Sequence, residues 1–178
     1  QEQKEKQSQQ EVKQTAMTQK SKIFFKKNDL SIGNENAPIV IVEFMDYQCG
    51  YCKLMDSPLN ELVSENPEKF RIVYKPVAIL GPNSKIFSQS AYAANQAGKF
   101  KQVHSELIRL KRPYTKEDVL AVLEKHGVKS NLDAQEAFLD ETILLSNQLK
   151  VKATPVFFIY NKNSNKVEMI SGAMPPQP

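Results

Sequence analysis

The stretch EFMDYQCGYCKLM, residues 43–55, holds both cysteines of the chain, Cys49 and Cys52, with Gly50 and Tyr51 between them. A Cys-x-x-Cys pair serves a structural disulfide, a metal centre or a redox centre, and the three uses demand different surroundings. Upstream lies IVIVEFM, residues 39–45, a continuous β-branched run of the kind that forms a buried central strand. Downstream, Leu54, Met55, Leu59, Leu62 and Val63 recur near helical spacing. They predict a helix over about residues 49–65, kinked at Pro58. FRIVYKP, residues 70–76, reads as the next strand. Strand, helix and strand joined by a right-handed crossover make a parallel βαβ unit. The cysteines sit where its first strand hands over to its helix.

Outward from this unit the signals change. Residues 1–22 are rich in Gln, Lys and Glu, and only Val12, Ala16 and Met17 are notably apolar. Such a segment cannot fold alone. It reads either as a disordered leader or as a helical arm that orders on self-association, since these residues favour helix but show no heptad seam. Ile23-Phe24-Phe25 predicts a short strand, and NDLSIGNENAP, residues 28–38, is turn-rich. A helical block follows the second strand. It comprises alanine-rich residues 84–97, then residues 100–111 with Phe100, Val103, Leu107 and Leu110 on one side. A further helix is capped by Thr115 with Asp118 at N3 and ended by Gly127. Asn131 caps a longer one that carries Phe138, Leu145 and Leu149. These stripes are core contacts. PVFFIY at 155–160, the turn NKNSNK and residues 167–170 form an antiparallel hairpin, and SGAMPPQP at 171–178 is a loop.

With 178 residues the chain accommodates one domain with a real core plus an appendage. Hydrophobic residues at 40% and charged residues at 25% are ordinary for a globular protein. The net charge of +4 is mild, and the lysines are scattered without interleaved aromatics, which argues against a nucleic-acid partner. No apolar run approaches the ~18–20 residues that span a bilayer. The opening QEQKEKQSQQ has no apolar signal core, and a start on Gln fits a processed chain.

A structural zinc site needs four ligands, and outside the cysteines the chain offers only His104 and His126, in predicted helices, as packing or surface residues. No metal is expected. A structural disulfide over so short a loop would restrict the unfolded chain little. The βαβ unit, the helical block and Thr154-Pro155 leading into a hairpin resemble the thioredoxin superfamily, in particular its DsbA-like branch. In that branch a helical domain is inserted before the second half of the sheet. The resemblance rests on NAP-IVIVEF-DYQCGYC within residues 36–52, on Ala153-Thr154-Pro155, and on Ser171-Gly172-Ala173, and it covers about residues 32–176. The expected fold is α/β and thioredoxin-like. A domain over residues 23–178 carries a helical insertion at about 83–150, and residues 1–22 form the arm.

At a helix N-terminus Cys49 meets unpaired N–H groups and the helix dipole, which favour a thiolate and make it the nucleophile. Cys52, one turn inside, suits the resolving role. Gly50 lets a substrate backbone approach, and Tyr51 adds an aromatic surface. Glu43, read alone, is either a solvent-facing strand residue or a buried carboxyl that is costly when charged. The resemblance implies a buried acid that exchanges protons with Cys52. Asp46 is expected in the loop. Thr154-Pro155, read alone, is an ordinary strand start. The resemblance implies a cis bond facing the disulfide, with the Thr154 backbone pairing an extended substrate.

The sequence departs from the DsbA oxidase pattern in two places. Gly50-Tyr51 replace Pro-His, and Thr154 replaces valine, as in the dimeric DsbC-type isomerases. Without the neighbouring histidine a less extreme potential is expected. The resemblance implies a periplasmic thiol-disulfide oxidoreductase that forms or isomerises disulfides in secreted proteins. It needs no cofactor beyond the Cys49–Cys52 disulfide. Expected partners are unfolded or misoxidised secreted proteins, a DsbB-like or DsbD-like membrane redox protein, and further copies of the chain in a homodimer or trimer joined by the arm. Two cysteines, both catalytic, suit an oxidising compartment. The competing expectation is a non-enzymatic chaperone or envelope interaction module on the same scaffold. DsbA-like domains close with a helix after the Gly-Ala loop, whereas this chain stops at Pro178. Either it is truncated or the sheet face is covered otherwise, and an uncovered face would leave an apolar patch.

Overall fold

The computed structural model describes residues 1–172. Helices α1 (Glu2–Thr18) and α2 (Lys20–Phe24) precede strands β1 (Leu30–Gly33) and β2 (Ile39–Met45). Helix α3 (Gly50–Glu65), strand β3 (Phe70–Pro76) and helices α4 (Pro82–Gln96), α5 (Phe100–Leu107) and α6 (Lys116–Lys125) follow. A 3-10 turn, Leu132–Gln135, runs into α7 (Glu136–Gln148), and β4 (Val156–Asn161) and β5 (Lys166–Ser171) complete the sheet. The strand order is β1-β3-β2-β4-β5. Among the described strands only β2 and β3 pair in parallel, as the βαβ reading expects; β1 pairs antiparallel with β3, and β4 with both β2 and β5.

The β-branched run of β2 is continuous because both faces of the sheet are buried. Ile41 and Met45 join Ile72, Tyr74 and Phe157 on the face that packs on α3 and the helical block. Val40, Val42 and Phe44 join Val73, Phe158 and Tyr160 on the other face, against residues of α1, α2 and α7. Each fully buried side chain of this size stabilises the fold by about 1.5–3 kcal/mol.

The N-terminal segment is helical, not a disordered leader. Val12 and Ala16, one turn apart on α1, are buried in the second face, and Lys13 pairs with Glu168 of β5 at 3.2 Å. The strand expected at Ile23-Phe24-Phe25 is instead the end of α2. Ile23 and Phe24 are both fully buried in the same cluster, which adjacent strand residues pointing to opposite faces would not manage. The missing strand, β1, lies inside the turn-rich stretch. It ends at Gly33, where φ is 113° and a Cβ would sit 2.7 Å from the Phe70 carbonyl oxygen.

Helix α3 continues through Pro58. The hydrogen bond that proline cannot donate falls on the exposed side with Leu54, which is 69% exposed rather than part of the core stripe. The buried line of α3 is Cys52, Asp56, Leu59 and Val63. Helix α5 stops at Leu107, four residues short of the expected end. Thr115 and Asp118 form the expected capping box, with Thr115 N–H donating to Asp118 Oδ2 at 2.7 Å. Asn131 precedes the 3-10 turn and makes no side-chain cap. Residues 173–178, most of the C-terminal loop expectation, lie outside the described residues. Among the described residues, no helix is long and apolar enough to cross a membrane.

Candidate active site

Cys49 is the N-cap of α3, with extended backbone (φ −75°, ψ 123°), and its Sγ accepts from the Cys52 N–H at 3.3 Å. Ahead of it the loop is closed by Cys49 N–H donating to the Asp46 carbonyl at 2.9 Å. Both thiols are free, and Cys52 is the more deeply buried. Burial pushes the Cys52 thiol up, and the charge of Glu43 pushes it further. The two sulfurs therefore differ. One lies at a helix N-terminus among free N–H groups, the other inside the first turn, where a thiolate is costly.

The Thr154–Pro155 bond is cis, and the Thr154 carbonyl oxygen lies 3.6 Å from Cys49 Sγ. Gly172 N–H donates to the Pro155 carbonyl at 2.9 Å, which ties this loop to the end of β5. Around the sulfurs the surface is open. A Cβ at Gly50 would meet nothing within 4 Å, and Tyr51 is 61% exposed.

Glu43 is 1% exposed and so does not face solvent. The pleat places it on the same sheet face as Ile41 and Met45, the face that also buries Cys52. Its Oε2 has no hydrogen-bond partner. Burial holds its carboxyl well above the ordinary range, helped by the charges of Asp56 and Cys49. A carboxyl raised in this way holds its proton more tightly than an exposed one and can exchange it with a neighbouring sulfur.

Several polar residues of the site went unread in the sequence. Asp46 does lie in the loop, but fully buried and as an anchor. Its Oδ1 accepts from Gln48 N–H (2.9 Å) and Ser84 Oγ (2.7 Å), its Oδ2 from Ile79 and Leu80 N–H (2.8 and 3.0 Å). The redox loop is thereby fixed to the start of α4. Beneath it, His104 of α5 bridges Tyr47 and Asp56: Nδ1 lies 2.7 Å from Tyr47 Oη, and Nε2 lies 2.7 Å from Asp56 Oδ1. Burial and the Asp56 charge hold the Tyr47 and Tyr74 hydroxyls protonated. With Tyr47 donating to Nδ1, the imidazole donates Nε2–H to the carboxylate. Lys53 donates to the Ile108 and Leu110 carbonyls, both at 3.0 Å, and pins α3 to the end of the α5 segment. The legible signal was Asp56 itself, an acid one turn beyond Cys52 on the buried line of α3. Among the described residues no group of three or more His, Cys, Asp or Glu side chains could hold a metal ion.

A family profile described as Thioredoxin matches residues 25–172. Among curated proteins, the Na(+)/H(+) antiporter NhaA 1 of Salinispora arenicola is 25% identical over 156 residues, covering 80% of this chain. The chain spans only 24% of that relative's length. Disulfide bond formation protein D of Bacillus subtilis is 26% identical over 156 residues, covering 74% of this chain and 67% of that protein. Among solved structures, the thiol-disulfide exchange protein alpha-DsbA2 from Wolbachia pipientis superposes with a TM-score of 0.80 at 25% identity, covering 94% of this chain and 91% of that one.

Proposed function

The chain belongs to the thioredoxin family and has its fold, with a helical block inserted between β3 and β4, and from that premise we propose that it is a thiol-disulfide oxidoreductase of the bacterial periplasm. The observation that carries this is Cys49 Sγ at the N-cap of α3, 3.3 Å from the Cys52 N–H and 3.6 Å from the carbonyl of the cis-proline loop. Substrates are unfolded or misoxidised secreted proteins, and a DsbB-like or DsbD-like membrane protein resets the pair.

In the oxidising direction a substrate thiolate attacks Cys49 Sγ. The bond to Cys52 breaks, and Cys52 leaves as a thiolate that takes the proton from Glu43. A second substrate thiolate attacks the substrate sulfur of the mixed disulfide, and Cys49 leaves as a thiolate. Two electrons have passed from substrate to protein. In the isomerising direction the Cys49 thiolate attacks a wrong disulfide, and Cys52 attacks to release any trapped mixed disulfide, its proton passing through the Glu43 carboxyl. Thr154 offers its backbone to an extended peptide. Tyr51, Leu54, Ile79 and Leu80, all exposed, supply apolar contact.

Gly50-Tyr51 and Thr154 favour isomerisation. The test is reactivation of scrambled ribonuclease by the reduced protein, run beside oxidation of reduced ribonuclease by its disulfide form. Reactivation that disappears in Cys49→Ala supports the isomerase. Efficient oxidation without reactivation makes the protein an oxidase. Suppressed aggregation that survives Cys49→Ala, with neither redox activity, replaces the proposal with a chaperone.

A further inference from the structure

Two buried cations project from one face of β3. Arg71 is 9% exposed and Lys75 2%, and both reach carbonyls of α2. Lys75 is neutralised by Asp29 at 2.6 Å. Arg71 is not: among the described residues no carboxylate lies within 4.0 Å of it. Its Nη2 donates to Ser31 Oγ at 3.1 Å and its Nη1 to the Phe24 carbonyl at 3.4 Å, while its Nε has no partner. A guanidinium carries five N–H donors, and a buried charge is normally paired. The fold supplies a counter-ion to one cation and leaves the other without one.

Arg71 lines a cleft of about 840 Å³. Tyr92 and Phe138 line it as well: their rings stack on each other with centroids 5.6 Å apart and planes 19° apart, and Lys26 Nζ lies 5.8 Å from the Phe138 ring centroid. Lys27, which makes no ion pair among the described residues, lines it too. The acids of the cleft are Asp29, engaged by Lys75, and Glu35, which is exposed. The cleft is remote from the sulfurs. Arg71 stands at the start of β3 opposite Val40, while Cys49 follows the far end of the parallel β2.

We propose that this cleft is a second binding site, separate from the redox centre, for a small aromatic carboxylate whose anionic end pairs with Arg71 and whose ring packs beside Tyr92 and Phe138. The test titrates the isotopically labelled full chain with benzoate, acetate and inorganic phosphate at constant ionic strength, followed by two-dimensional NMR. Benzoate should shift the amides around Lys27, Ser31 and Arg71 saturably and bind at least ~10-fold more tightly than acetate. Arg71→Met should weaken benzoate by at least ~10-fold, because a charge-assisted pair is lost. Lys27→Glu, on the exposed rim, should weaken it as well and serves if the Arg71 variant does not fold. Benzoate should leave the alkylation rate of Cys49 unchanged. No saturable benzoate shift, shifts centred elsewhere, phosphate binding without benzoate binding, or full affinity in both variants would overturn the proposal.

Discussion

Replacing Glu43 by methionine should make the protein more stable and less active, with a stability gain that grows with pH. The structure sets the size. Glu43 is fully buried and its Oε2 has no partner. Leaving a buried polar group unsatisfied costs about 1–3 kcal/mol, and methionine removes that cost at similar volume. For a chain of this length the gain amounts to roughly 3–10 °C in Tm. The pH dependence follows from linkage. In the unfolded chain the carboxyl titrates near its model value of 4.5, and in the fold burial raises it well above that. Below pH 4.5 both states hold the proton and charge costs nothing. Above it the unfolded state releases its proton and the native state does not. Wild-type stability then falls by up to about 1.4 kcal/mol per pH unit until the folded carboxyl titrates. Glu43→Met lacks that slope.

The assay is thermal melting of both proteins in the reduced state from pH 4 to pH 9, beside the rate of ribonuclease oxidation. A turnover loss of about 100-fold or more is expected if Glu43 is the proton donor to Cys52. A variant less stable than wild type at pH 7, or a gain that does not widen between pH 5 and pH 8, would refute the reasoning. Either result would mean that the carboxylate is ionised and solvated in the fold.

Asp46→Ala removes the acceptor of four hydrogen bonds and strands buried donors. It should cost on the order of 3–4 kcal/mol, read as a lower urea midpoint. Asp56→Asn keeps an acceptor for His104 but removes a charge that raises Glu43. The pH window over which stability falls should narrow from its alkaline side in a Tm-against-pH series, and an unchanged window counts against the coupling. Self-association through the polar outer face of α1 should give two or three times 20.2 kDa by light scattering, and a single 20.2 kDa species removes it.

Much of the fold was legible because its central strands announce themselves. The runs at residues 39–45 and 70–76 are apolar on both pleat faces, so β2 and β3 have the bounds their sequences suggest. The segment at residues 23–25 misled because three apolar residues carry no period, and a helix and a strand fit them equally. LSIG gave no warning of β1. Only Leu30 and Ile32 alternate there, the flanks are turn-formers, and an edge strand of four residues gains its pairing from β3. Placement of the Cys49, Cys52 and Thr154–Pro155 groups followed from local spacing plus one long-range match to a resemblance. Asp46 and His104 stayed hidden for a different reason. Each matters through partners 33 to 57 positions away, a relation that no local pattern encodes.

The pairing of α1 with β5 has a bearing on how the protein is made. Lys13 and Glu168 are 155 positions apart, so the helix synthesised early finds its seat only when the strand made late is in place. Until then Val12 and Ala16 lack the strand they pack against, while α2 and α7 cover β2 and β3. Glutamine, lysine and glutamate elsewhere in α1 keep the waiting segment soluble without a seat. A ribosome or translocon releasing this chain would thus leave this side of the second core layer open until β5 emerges.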